Sequence, residues 1–133
     1  MEIEEVRNYC LNCKIRPCQN NGCPLKNNIP DFIHEKNLEK AYEVLYQTTV
    51  LPAICGRICP HEKQCQGSCV RGIKSEPVAI GKMEAYIGDE SIKNKYEIPK
   101  DVDENLKQKK VAVVGGGPAG LTCASFLARK GVE

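Results

Sequence analysis

Eight of the nine cysteines in this 133-residue chain lie between Cys10 and Cys69, in two tight groups. The first reads Cys10-x2-Cys13-x4-Cys18-x4-Cys23-Pro24, and the second Cys55-x3-Cys59-Pro60-x4-Cys65-x3-Cys69. No other feature constrains the fold as strongly, because thiols this dense must pair, hold metal or be buried. An odd count leaves at least one thiol outside any disulfide framework, and the acidic start Met-Glu-Ile-Glu-Glu is the opposite of an export signal. The predicted localisation is therefore cytoplasmic, where thiols stay reduced and free for metals. A net charge of +2 argues against a strongly cationic nucleic-acid or membrane binder. No apolar run is long enough to span a bilayer.

Between and after the cysteines the chain alternates wraps and helices. One or two helical turns are predicted at the start, with Ile3 and Val6 on one side. Residues 9–30, rich in Cys, Asn, Pro and Gly, read as a loop wrapped around something. A single helix is predicted from Asp31, after Pro30, to about Thr48, on the recurrence of Ile33, Leu38, Ala41, Tyr42 and Leu45. Leu51-Pro52 ends it, and residues 53–72 form a second turn-rich wrap with short helical turns. A further helix is predicted from Glu76 or Pro77 to about Lys93, on Val78, Met83, Tyr86 and Ile87. A polar, charged stretch follows. Then Val111–Val114 reads as a buried-type strand, a glycine loop comes next, and a helix runs through Leu121, Ala124, Phe126, Leu127 and Ala128.

Thiolates two to five residues apart on a loop can converge on one iron–sulfur cube, and eight ligand positions suffice for two cubes. In two-cluster ferredoxins the cysteine before proline ligates the other cluster, so Cys23 and Cys59 suggest that the two groups exchange ligands. Tetrahedral zinc is the competing reading. Its common sites pair two x2 hairpins, whereas only Cys10 and Cys13 have that spacing.

The second wrap, Ile54-Cys55-Gly56-Arg57-Ile58-Cys59-Pro60-His61-Glu62-Lys63-Gln64-Cys65-Gln66-Gly67-Ser68-Cys69-Val70-Arg71-Gly72, resembles the N-terminal iron–sulfur domain of the glutamate synthase small (beta) subunit family. Dihydropyrimidine dehydrogenase and the NADH-dependent ferredoxin:NADP oxidoreductase share that domain. The first wrap and Ile80-Gly81-Lys82-Met83-Glu84-Ala85-Tyr86-Ile87 match the same family in the same order, so the resemblance covers essentially the whole chain. It implies one [4Fe-4S] cluster on Cys10, Cys13, Cys18 and Cys69. It implies a second on Cys23, Cys59 and Cys65, with Glu84 as a harder, oxygen-donating fourth ligand. Cys55 is then spare, a small buried hydrophobe, and Cys123 is packed core. His34 and His61 are given surface or hydrogen-bonding roles. Arg57, Lys63 and Arg71 are candidates to offset cluster charge.

Val111-Ala112-Val113-Val114-Gly115-Gly116-Gly117-Pro118-Ala119-Gly120 fits G-x-G-x-x-G between a strand and a helix. In that motif the first glycine makes the tight turn, the second lets a pyrophosphate approach, and the third allows close helix packing. The resemblance assigns this loop (Gly115, Gly117, Pro118, Ala119 and Gly120) to FAD, with the nicotinamide nucleotide held elsewhere. The acidic ribose-binding residue expected about 20 positions on would fall past Glu133. The chain thus reads as a truncated piece.

The predicted fold class is mainly α: a small helical double-cluster [4Fe-4S] domain at residues 1–98, a linker at 99–110, and at 111–133 the first strand–loop–helix of a Rossmann-type FAD domain. The predicted function is single-electron relay between FAD and a partner in an NAD(P)H-dependent oxidoreductase of glutamate synthase type. The alternatives are a zinc-binding interaction module, or the same domain from a bifurcating or pyrimidine-reducing oxidoreductase. FAD and NAD(P)H would belong to the full-length protein only, and the piece alone is predicted to be inactive. The predicted partner is a larger synthase or oxidoreductase subunit, with no nucleic acid and no membrane.

Overall fold

The computed structural model describes residues 2–133, which are helical, with no β-strand among them. They divide into two units, one ending at Tyr96 and the other spanning Glu97–Glu133.

In the first unit, α1 (Ile3–Tyr9) opens with a capping box in which Glu2 and Glu5 satisfy each other's backbone N–H groups. The helix expected from Asp31 to Thr48 is broken in two, α2 (Ile29–His34) and α3 (Leu38–Tyr46). The break has a local cause. The Glu35 carboxylate accepts the N–H of Asn37 at 2.9 Å, and the Asn37 side chain accepts the N–H of Lys40 at 3.1 Å as a new N-cap. Pro30 lies inside the first turn of α2 rather than before it.

Pro52 starts α4 (Pro52–Ile58) instead of only ending what precedes it, as suits a residue without an N–H to satisfy. The last helix of this unit, α5 (Ile80–Lys93), begins a few residues later than its apolar pattern suggested. Val6, Phe32, Ile33, Leu45, Met83 and Ile87 are wholly buried and draw α1, α2, α3 and α5 around one core. Each such side chain contributes roughly 1.5–3 kcal/mol relative to exposure.

Helix α4 packs on α5 at backbone distance. A Cβ at Gly56 would stand 2.3 Å from the Ala85 nitrogen and 2.7 Å from the Gly81 carbonyl, so only glycine fits. On the solvent side Arg57 bridges the same two helices, donating to both oxygens of Asp89 at 3.0 and 2.6 Å. This close seam brings Cys55, Cys59 and Glu84 into one neighbourhood.

The second unit corrects two expectations. Val111–Val114 is not a strand, because no β-ladder forms among the described residues. Glu133 N–H donates to Lys109 and Val111 N–H to Glu133, a single bridge-like pair of bonds. A pair of this kind does not propagate without further partners. The loop and α6 (Pro118–Arg129) do form, but no residue of α6 is buried, and Cys123, expected in a core, is exposed. With no sheet under it, the helix keeps Phe126 and Leu127 only partly covered.

Candidate metal centres

The cysteines line two separate cavities, each drawing on both cysteine-rich stretches. Cys10, Cys13, Cys18 and Cys69 line the first, together with Ile29, Ile33, Val78 and Arg71. Cys23, Cys55, Cys59 and Cys65 line the second, together with Thr49 and Glu84. All nine cysteines are free thiols. Among the described residues no three His, Cys, Asp or Glu side chains close on one point as ligands of a single metal ion. The sulfurs ring open space instead.

The first wrap turns by backbone reversals at Asn12 (φ 48°) and Arg16 (φ 45°), in the left-handed region that disfavours side chains other than Asn and Asp. Arg16 is held there by α2. Its guanidinium donates to both oxygens of Asp31 at 2.7 and 2.8 Å. The next turn, Cys18–Gly22, is π-helical, and it directs Cys18 and Cys23 to different cavities. Asp31 stood out in the sequence only as a helix start and Arg16 not at all; a basic residue inside the cysteine wrap with an acid at the next helix start was the signal for the pair.

Electrostatics ties each set together. Burial pushes the Cys18 thiol up to about 11, and the neighbouring thiolates of Cys10, Cys69 and Cys13 add to it. Burial likewise lifts Cys65 to about 12 and Cys59 to about 11, with Cys23 and Glu84 raising both further. Cys18 also acts on Cys65, so the two cavities are neighbours. Opposing this, backbone N–H groups of Asn12, Gln19 and Gln66 bond Cys10, Cys18 and Cys65, and that of Asn27 donates to Cys23 Sγ at 3.4 Å. Clustered sulfurs that repel one another as anions, yet receive backbone donors, form a donor set suited to an inorganic cluster carrying positive charge.

Glu84 is 5 % exposed and its Oε1 has no hydrogen-bond partner. Burial raises it from 4.5 to about 7. A buried carboxylate oxygen left without a protein donor is a costly arrangement unless something else engages it.

Of the three cations considered, Arg71 lines the first cavity, with its guanidinium 4.4 Å from the Tyr9 ring centre and its Nε donating to the Tyr9 carbonyl at 2.9 Å. Arg57 is engaged by Asp89. Neither His34 nor His61 lines either cavity; each has a buried Nε2 without a hydrogen-bond partner, and the His61 ring packs on Gly81. Cys55, expected to be a buried bystander, instead faces the second cavity at intermediate exposure. Its spacing from Cys59, one helical turn, was the available signal.

In the second unit Gly115 takes φ +116° at the turn, and a Cβ on Gly120 would stand 2.1 Å from the Gly115 carbonyl oxygen. The loop therefore closes only with glycine at position 120. Gly117 N-caps α6, Pro118 takes its first position, and Ala119 follows on an exposed first turn.

A small helical domain whose cysteines ring two cavities defines the class: an iron–sulfur protein. Residues 2–96 match the family described as dihydropyrimidine dehydrogenase domain II, 4Fe-4S cluster, and the chain belongs to that family. Residues 108–133 match the FAD binding domain. The chain is 41% identical over 133 residues to the NADPH glutamate synthase small chain of Azospirillum brasilense, and 39% over 127 residues to that of Escherichia coli (strain K12). It is 42% identical over 128 residues to UacF of Escherichia coli (strain K12), a proposed oxidoreductase. These alignments take in 97%, 93% and 93% of this chain but only 27%, 26% and 20% of those proteins, so the chain spans about a quarter of the relatives it matches. No helix among the described residues is long and apolar enough to cross a membrane.

Proposed function

We propose that this chain is the electron-transfer portion of a flavin-dependent NAD(P)H oxidoreductase and holds two [4Fe-4S] clusters. Cys10, Cys13, Cys18 and Cys69 would hold the first, and Cys23, Cys59, Cys65 and Glu84 the second. The observation that carries the reading is the sorting of these residues into two cavities, each combining both halves of the cysteine pattern. When bound, such clusters supply one-electron carriage between a two-electron flavin and an acceptor.

The chain's own residues set the conditions for that carriage. Ile29, Ile33 and Val78 keep the first cavity apolar, Arg71 places a positive charge at its wall, and backbone N–H groups stabilise sulfur charge in both. Adjacent cavities, with Cys18 of one acting on Cys65 of the other, suit stepwise transfer.

In this reading residues 1–98 form the cluster domain, 99–110 a linker, and 111–133 the opening of a Rossmann-type FAD-binding unit. Gly115, Gly117, Pro118, Ala119 and Gly120 would meet the dinucleotide phosphates at the N-terminus of α6. The nicotinamide nucleotide and a larger synthase-type partner subunit belong to the whole cytoplasmic protein. Glutamate synthase relatives favour that parent.

Anaerobic reconstitution followed by iron and acid-labile sulfide counting tests the proposal. Two clusters require about eight irons and eight sulfides per chain. A colourless product with stoichiometric zinc that refuses iron and sulfide would overturn it in favour of a zinc module.

A further inference from the structure

The second cavity has one donor too many. A cube with four irons takes four outside ligands, yet Cys23, Cys55, Cys59, Cys65 and Glu84 all line this space. Cys55 lies in α4 and Cys59 caps its C-terminus one turn on, and both thiols face this cavity. Thr49, which also lines the cavity, brings its Oγ1 to 4.0 Å from Cys55 Sγ. Glu84 enters from α5 with an unpartnered Oε1. At Gly56 the helices that carry Cys55 and Glu84 pack backbone to backbone.

We propose that Cys55 is a reserve ligand of the second cluster, taking the iron that Glu84 holds whenever the carboxylate is withdrawn. The inference rests on the two-cluster reading above and extends it to a residue which that reading leaves idle. In the exchange one iron–oxygen bond breaks and one iron–sulfur bond forms. The Cys55 thiol gives its proton to the released Glu84 carboxylate, so the charge of the site is conserved. The cavity would thereby have two ligation states, one with an oxygen donor and one with sulfur only, and hence two electron affinities.

Iron and sulfide counts, with the electron-spin spectrum of the reduced protein, test this on the full chain with Glu84→Ala and the double variant Glu84→Ala/Cys55→Ala. Glu84→Ala should keep about eight irons per chain while changing the spectrum of one cluster. The double variant should keep only about four, with the spectrum of the other cluster intact, which also reports that the chain has folded. Loss of about four irons from Glu84→Ala alone overturns the reserve role and leaves the two-cluster reading standing. An unchanged spectrum in Glu84→Ala overturns it too, since Cys55 would then be the resident ligand. Retention of both clusters in the double variant excludes Cys55 as the replacement. If the parent chain takes up no iron or sulfide, the two-cluster reading itself fails.

Discussion

The backbone N–H of Cys23 donates to the carbonyl of Cys18 at 2.8 Å and closes a single π-helical turn, yet the two thiols serve different cavities. An ordinary α-turn would place residues about 100° apart per step; the wider turn resets that phase between neighbouring ligands. The sequence-adjacent pair is therefore spatially divided, and the first stretch contributes to both sites.

A first prediction follows from that division. Cys18→Ser should remove the cluster on Cys10, Cys13 and Cys69 and spare the other, whereas Cys23→Ser should do the reverse. Each variant should retain about four irons per chain, with complementary electron-spin spectra. Identical spectra in the two variants would show that the cavities do not act as independent sites.

The seam between α4 and α5 supplies a second. Gly56→Ala forces a Cβ to 2.3 Å from the Ala85 nitrogen, so the helices must separate. Overpacking of this kind costs about 1–3 kcal/mol. The unfolding midpoint in denaturant should fall accordingly, and the second cluster should be lost faster to a chelator than the first. An unshifted midpoint, or equal loss rates, would mean that the seam does not hold that site together.

Much of this architecture could be read from residue order, and the misreadings share a cause. The apolar stripe of α5 survives in the structure because Met83 and Ile87 are wholly buried. The stripe through Ile33 and Leu45 was equally real but spanned two helices. Side-chain bonds at Glu35 and Asn37 interrupt the backbone there without disturbing the pattern. Cys55 was expected to be buried because the resemblance gives its position no cluster role; which face of α4 meets the cavity depends instead on glycine contacts with a helix about 25–30 residues away. The strand at Val111–Val114 has the right composition, but strand formation depends on neighbours and not on composition alone.

Arg71 gives a third prediction. Its guanidinium lines the first cavity and lies close enough to Cys10 to lower that thiol's affinity for its proton. A positive charge there favours the more negative, reduced form of the bound group. Arg71→Gln should therefore shift the potential of the first cluster downward. An interaction of about 1 kcal/mol corresponds to on the order of 40 mV for one electron. Redox titration of the reconstituted chain checks this, and an unmoved first potential beside a shifted second one would contradict the placement.

The last prediction concerns Glu84 in the chain stripped of metal. Burial lifts this carboxyl from 4.5 to about 7, so the folded chain holds its proton more tightly than the unfolded chain does. Between those values the native state binds more protons, and stability must fall as pH rises. The whole effect is on the order of 3 kcal/mol, fully felt above about pH 7 and absent below about pH 4. A second decline belongs to the thiols, since Cys18, Cys59 and Cys65 keep their protons to about 11, about 11 and about 12 in the folded chain, against 9.0 for an unperturbed thiol. Denaturant titrations of the stripped chain under reducing, oxygen-free conditions separate the two windows. Glu84→Gln, which cannot ionise, should flatten the first and leave the second. A first window that persists in Glu84→Gln would assign it to another group and remove the reason for regarding this carboxylate as held uncomfortably in the cavity, waiting for a cation.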